Sequence, residues 1–247
     1  MNPAPENRCT GCPIRNSTIC KVVSPAELPA YTLLATEEQF SRGSILAAEG
    51  SLSTNVYILL KGVAFAFRLS PDGKRQIVQL YFPSEILGST EPHRHFFSLQ
   101  ATTDIVVCRF DRQELETYML EHPALEREML WLKRRKLFGL QEQLVTLARH
   151  NALQAVASLI YYLKLRQRYS VYEETGPIRI PLSRNDICDF LSLTPETVSR
   201  CFSKMRSAKL IRMDRADEVE ILDETRLHAA ANQKYQRFDS DIDKLWG

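Results

Sequence analysis

A change of hydrophobic period near residue 111 constrains this chain more than any other feature. Before it, the apolar runs are short and punctuated by turn residues: SRGSILAAEG, TNVYILLKG, VAFAFRLSPDGKRQIVQLYF and IVVCRF. Val63, Phe65 and Phe67 alternate with small residues, and Pro71-Asp72-Gly73 reads as a turn between two strands. Short strands at regular spacing predict a small β-roll or barrel. Gly43, Gly50, Gly62 and Gly73 fit positive-φ corners of that roll rather than a phosphate-binding loop. After residue 111, DRQELETYMLEHPALEREMLWLKRRKLFGLQEQLVTLARH predicts a short helix, a break at Pro123 and a long helix. Leu130, Leu137, Leu140, Leu144 and Leu147 follow a three- and four-residue rhythm close to a coiled-coil seam, interrupted at Lys133. A long helix with its own leucine stripe between two domains predicts a homodimer interface; the alternative is packing on its own β-domain.

The second domain opens with an apolar helix, NALQAVASLIYYLKLRQRY, followed by a loop and short strand, YEETGPIRIPL. Two short helices are then expected, Ser183–Leu191 and Thr194–Ala208, parted by Ser192-Leu193. Ser183 and Thr194 are natural N-caps, and Pro195 stands where a first-turn proline is tolerated. Such a pair is a helix-turn-helix, and LIRMDRADEVEIL reads as a β-hairpin wing. The expected fold is therefore α+β. A cysteine-rich segment occupies 1–24, a double-stranded β-roll sensor domain 25–122 and a dimerisation helix 123–150. A winged helix-turn-helix follows at 151–232, with a tail at 233–247. A chain of 247 residues is long enough for each domain to bury its own core.

Net charge is only +2, but Arg200, Lys204, Arg206 and Lys209 cluster between Thr194 and Lys209 against a single acid, Glu196. A local basic stretch of this kind suits a DNA-facing surface. From a cap at Thr194, Glu196, Ser199 and Arg200 fall at i, i+3 and i+4 and share one face. Val198, Phe202 and Met205 lie on another and can anchor the helix. The N-terminal residues of the second helix of a helix-turn-helix meet base edges, where arginine reads guanine and glutamate accepts from cytosine. Lys204, further along, favours phosphates. A Glu196–Arg200 helical ion pair is the plainer alternative.

Three of the six cysteines stand together as C-x2-C-x7-C: Cys9, Cys12 and Cys20 in RCTGCPIRNSTIC. A disulfide framework does not suit this size and composition; metal or redox use does. Thiolates suit iron–sulfur clusters and zinc alike. Three ligands leave a four-cysteine site incomplete, and the best fourth candidate is Cys108 in DIVVCRF. Cys188 and Cys201 fall in the helix-turn-helix and read as packing residues.

A β-roll, a long helix and a winged helix-turn-helix in this order resemble the CRP/FNR regulators over about residues 30–230. The likeness is most specific in LTPETVSR, residues 193–200, which is similar to the E-x-x-S-R recognition helix of the FNR branch. CTGCPIRNSTIC is similar to the cysteine run of oxygen-sensing FNR homologues, whose fourth cysteine lies late in the β-roll, where Cys108 stands. The resemblance implies a 4Fe-4S cluster held by Cys9, Cys12, Cys20 and Cys108, with oxygen converting or stripping it and loosening the dimer. It also implies reading of TTGA-type half-sites in double-stranded DNA by Glu196, Ser199 and Arg200, with RNA polymerase as protein partner. Beside Cys20, Ile19 is a candidate for shielding the cluster from solvent, with simple packing as the alternative. Some FNR-type proteins carry an acidic residue on the dimer seam. Here Leu140 takes the seam and Glu142 lies off it, so oxygen control of dimerisation and of dimer geometry alone both stay open.

Other effectors fit the residues less well. A cyclic-nucleotide site in such a roll needs an arginine followed by a small hydroxylic residue, and HRHFFSLQA offers His95-Phe96 instead. No cyclic nucleotide is therefore expected. Haem ligation would fall to His93 or His95, both expected on the surface of a polar loop. Zinc or thiol redox at the cysteines are same-fold alternatives. An electron-transfer or catalytic iron–sulfur protein would want a second cysteine group, a dinucleotide fingerprint or a nucleophile–base pair. The sequence has none, and an enzyme is not expected. MNPAPENR has no apolar signal region and no run approaches a membrane span of about 20 residues, so a cytoplasmic protein is expected.

Overall fold

A computed structural model of the chain describes residues 8–88, 94–149, 151–168 and 176–231; the side chains of 138, 139 and 141–149 lie outside the description. The chain divides into two units, Met1–Leu132 and Lys133–Gly247. In the first, 3-10 turns at Arg15–Ser17 and Ile19–Val22 lead into a short helix, α1 (Leu28–Leu33). Eight strands follow: β1 (Ala35–Phe40), β2 (Ile45–Ala47), β3 (Asn55–Lys61), β4 (Ala64–Leu69), β5 (Arg75–Tyr81), β6 (Ile86–Leu87), β7 (Ser98–Ala101) and β8 (Ile105–Asp111). They form two four-stranded antiparallel sheets, ordered β1-β8-β3-β6 and β2-β7-β4-β5. The turn at Pro71-Asp72-Gly73 joins β4 to β5, as the sequence indicates.

All four corner glycines have positive φ. Gly62 is the most constrained, because a Cβ there would stand 2.3 Å from the Asp104 carbonyl oxygen. Inside the roll, Tyr57, Leu59, Leu87, Ile105 and Val107 of the first sheet pack with Ala64, Ala66, Leu99 and Ala101 of the second. The opposite face of the first sheet is also covered. Val56, Ile58 and Phe110 pack there with Ile14, Ile19, Val23, Tyr31, Leu115, Leu125 and Met129. Burial on both faces explains why β3 is an unbroken apolar run, VYILL, rather than an alternating one.

Helix α2 (Arg112–Glu121) is capped by Asp111, whose carboxylate accepts from the Glu114 N–H at 3.1 Å. It ends at His122, and Pro123 opens the long helix α3 (Pro123–Arg149), which crosses the boundary between the units.

The second unit continues with α4 (Ala152–Arg168), β9 (Ile178–Arg179), α5 (Arg184–Leu191), α6 (Pro195–Ser207), β10 (Ile211–Arg212), β11 (Glu218–Ile221) and α7 (Glu224–Ala231). Ser183 caps α5 in a reciprocal capping box with Asp186. Thr194 caps α6 by accepting from the Thr197 N–H at 3.3 Å. Between the helices Ser192 takes a left-handed conformation, φ 55°, which makes the tight turn. The hairpin β10–β11 is the expected wing, and β9 adds a third strand. Val156, Ile160, Val198, Phe202, Met205 and Leu227 are buried. Cys188 and Cys201 are buried too, as packing residues.

Candidate functional site

Strand alternation decides where the fourth cysteine points. Ile105 and Val107 face the interior of the roll, so Cys108 and Phe110, of opposite parity, face the other way. That is the face carrying the N-terminal segment. Cys9, Cys12, Cys20 and Cys108 all pack, half-buried, against the same apolar core. The segment is anchored by Ile14 and Ile19, 1% and 0% exposed, so it is not a loose arm. Ile19 belongs to the core itself, in one cluster with Tyr31 and Phe110, which fits the packing role among the two expected for it. Locally, the 3-10 turn bearing Cys20 is capped by Thr18, whose hydroxyl accepts from the Cys20 N–H at 3.1 Å.

The four sulfurs feel one another. Burial raises the pKa of the Cys108 thiol well above the ordinary range, and Cys20, Cys12 and Cys9 add to the effect. Burial also raises Cys20 and Cys12, with Cys9 contributing to both. Among the described residues no three His, Cys, Asp or Glu side chains close on a single metal-ion position. The donor set is thus four mutually influencing thiols on one half-buried surface. Beside them stands a residue the sequence reading missed. The Tyr31 hydroxyl shares a hydrogen bond with Cys20 Sγ at 3.6 Å.

Helix α3 has two apolar faces in its described part. Leu125 and Met129 are buried and Leu132 packs on the same core. Leu130 and Leu137, seven residues apart, are 46% and 58% exposed. Leu140 is half-buried, and Leu144 and Leu147 have side chains outside the described residues.

On α6, Glu196, Ser199, Arg200 and Lys204 are all exposed, while Val198, Cys201, Phe202 and Met205 form the buried face. The carboxyl pKa of Glu196 is lowered, first by its own backbone N–H and by Thr194, and further by the Arg200 charge. Arg200 donates to the Thr197 hydroxyl at 3.4 Å. Arg184, not singled out in the sequence, ties the wing to the recognition helix: its guanidinium lies 4.0 Å above the Phe202 ring and donates to the Ala216 carbonyl at 3.3 Å.

In the β-roll, His95 is 5% exposed, which corrects the expectation of a surface histidine. Its backbone bridges Gly50 and Ser51, donating to the Ser51 carbonyl at 2.9 Å and accepting from the Gly50 N–H at 2.8 Å. Its ring then lies beside Gly88. Phe96 is exposed, and His93 lies outside the described residues. No helix among the described residues is long and apolar enough to cross a membrane.

Comparison with known proteins agrees with this architecture. Residues 37–122 match the cyclic nucleotide-binding domain and residues 154–230 the Crp-like helix-turn-helix domain. The nitrogen fixation regulation protein FixK of Bradyrhizobium diazoefficiens is 34% identical over 224 residues, 90% of this chain and 93% of that one. The transcriptional activatory protein AadR of Rhodopseudomonas palustris is 34% identical over 91% of this chain and 93% of its own. The solved structure of FixK2 from Bradyrhizobium japonicum superposes with a TM-score of 0.73 at 26% identity, covering 79% of this chain and 96% of that one.

Proposed function

The chain belongs to the CRP/FNR family of transcription regulators, and from that premise we propose that it is an oxygen-responsive member carrying a 4Fe-4S cluster on Cys9, Cys12, Cys20 and Cys108. The observation that carries the reading is the convergence of all four thiols on one core, with strand parity turning Cys108 toward the N-terminal segment. A tetrahedral zinc ion needs each sulfur about 2.3 Å from one point. Thiolates serve a zinc ion and a cluster of several metal atoms alike, and the colour of the protein separates the two. When bound, such a cluster supplies an oxygen-labile link between the N-terminal segment and the roll.

The chain's own residues do the rest. Ile14 and Ile19 fix the segment to the core, and the Thr18 cap orients the turn that presents Cys20. The exposed leucines of α3 offer a seam to a second copy, which would set two recognition helices about 34 Å apart on DNA, one helical turn. Arg200 and Glu196, on the exposed N-terminal face of α6, would read a G·C pair of a TTGA-type half-site. Ser199 would reach a neighbouring base and Lys204 the phosphates. Regulation at promoters brings in RNA polymerase as partner. The roll acts without a cyclic nucleotide, a reading supported by the buried His95 and exposed Phe96 where an arginine and a small hydroxylic residue would be needed.

Anaerobically purified protein should be brown, with about four irons per chain. Replacing any of Cys9, Cys12, Cys20 or Cys108 by Ser should abolish the colour, and Cys188→Ser or Cys201→Ser should not. A stable colourless zinc protein would sink the oxygen-sensor reading, and full iron in Cys108→Ser would remove that residue from the ligand set.

A further inference from the structure

Tyr31 is fully buried, at 0% exposure, in the middle of α1. Its ring packs against Phe110 at 5.5 Å and Tyr118 at 5.7 Å between centroids, which fixes where the hydroxyl points. Among the described residues, the hydroxyl has one hydrogen-bond partner, the sulfur of Cys20 at 3.6 Å. A buried phenol is expensive to leave unpaired, and a buried tyrosine in a core normally finds an oxygen. Here the polar end of a core tyrosine is spent on a cysteine. Three of the four sulfurs, those of Cys20, Cys9 and Cys108, act electrostatically on this one side chain.

We propose that Tyr31 is a positioning and tuning residue of the cluster site, its O–H donating to the Cys20 thiolate. The inference rests on the iron–sulfur reading above. A metal-bound thiolate carries no proton, so the tyrosine must be the donor. A donated hydrogen bond withdraws electron density from the sulfur and stabilises the more negative, reduced state of the group it ligates. The couple concerned is a one-electron change with no proton transfer, with dithionite as reductant and oxygen as oxidant. The hydroxyl therefore raises the reduction potential and slows oxidative loss. Its neighbour in the ring cluster, Tyr118, has a buried hydroxyl with no hydrogen-bond partner among the described residues and serves as an internal control.

The experiment compares anaerobic wild type, Tyr31→Phe and Tyr118→Phe by EPR-monitored redox titration, chelator-driven iron release and bleaching in air. Melting temperature and iron content are checked in parallel. Tyr31→Phe should load iron, show a lower midpoint potential, and release iron about tenfold faster, the usual scale for a lost partner of a metal ligand. Tyr118→Phe should match wild type. A second variant with 3-fluorotyrosine at position 31 keeps the ring and the hydroxyl but makes the donor more acidic. It should shift the potential the opposite way, a response that a packing role cannot give. Unchanged potential and release in both position-31 variants, with an intact wild-type cluster, would overturn the role of Tyr31 alone. Wild type without an iron–sulfur spectrum would overturn the cluster reading and this inference with it.

Discussion

Arg200 and Lys204 are both exposed cations on one helix, yet their positions assign them different work. Arg200 lies in the first half of α6, near Glu196 and Thr197, where the helix end meets base edges. A bidentate arginine–guanine pair contributes roughly 1–3 kcal/mol of discrimination. Arg200→Ala should therefore lose affinity chiefly for sites that keep the TTGA guanine and flatten the preference at that position. Lys204→Ala should weaken all sites alike and reduce the salt slope by about one, as a lost phosphate contact does. Titrations against single-base variants at two salt concentrations separate the two. Equal losses for Arg200→Ala on every variant would assign Arg200 to the backbone. These residues were legible in the sequence because helical period alone sorts them from Val198, Phe202 and Met205. Tyr31 was not: its meeting with Cys20 depends on α1 folding back eleven residues later, which no local pattern encodes.

At the scale of elements, α3 separates its apolar residues by destination. Leu125, Met129 and Leu132 follow the i, i+4, i+7 spacing onto their own core, and Leu130 and Leu137 are left exposed a heptad apart. The stripe expected from the sequence therefore lies apart from that core in its described members, with Leu130 and Leu137 exposed and Leu140 half-buried, and Lys133, the interruption in the rhythm, is exposed too. Leu137→Glu places a charge on the exposed stripe without touching the core, so the protein should fold normally. On sedimentation it should run as a monomer and lose most specific binding to palindromic DNA. A normal dimer with normal binding would put the interface elsewhere. Strands, caps and the turn at Ser192 follow from local chemistry and were readable in advance. Helix α1, of six residues, and α7 were not. Helices that short are unstable alone and exist through tertiary burial, here of Leu28 and Tyr31 in α1 and of Leu227 and Ala231 in α7.

Across the whole molecule, the order of roll, long helix and helix-turn-helix was legible because period and turn chemistry change at their junctions. The physical link from the cysteines to α3 was not, since it rests on a core shared with Leu125 and Met129 and on a long-range ion pair. Lys21, next to Cys20, places its Nζ 2.9 Å from Glu128 Oε1 and 4.8 Å from the centroid of the Trp131 ring. The Glu128 side chain is only 11% exposed, so solvent screens this pair less than a surface contact. Helix α3 carries Glu128 and, two turns further on, the exposed Leu137. On the proposed reading, rearrangement at Cys20 shifts Lys21 and biases the helix that presents the seam, which gives the two sites a coupling free energy. Glu128→Gln keeps the side chain's shape and removes its charge. It should leave iron content unchanged, since Glu128 is no ligand. The ratio of DNA affinities before and after exposure to air should narrow by about fivefold or more, the lower end of ordinary allosteric coupling. Lys21→Met, which removes the other charge, should behave alike, and the double variant should add little to either single change because both remove the same contact. Affinity ratios equal to wild type in both single variants would mean that the state of the cysteine site reaches α3 by another route.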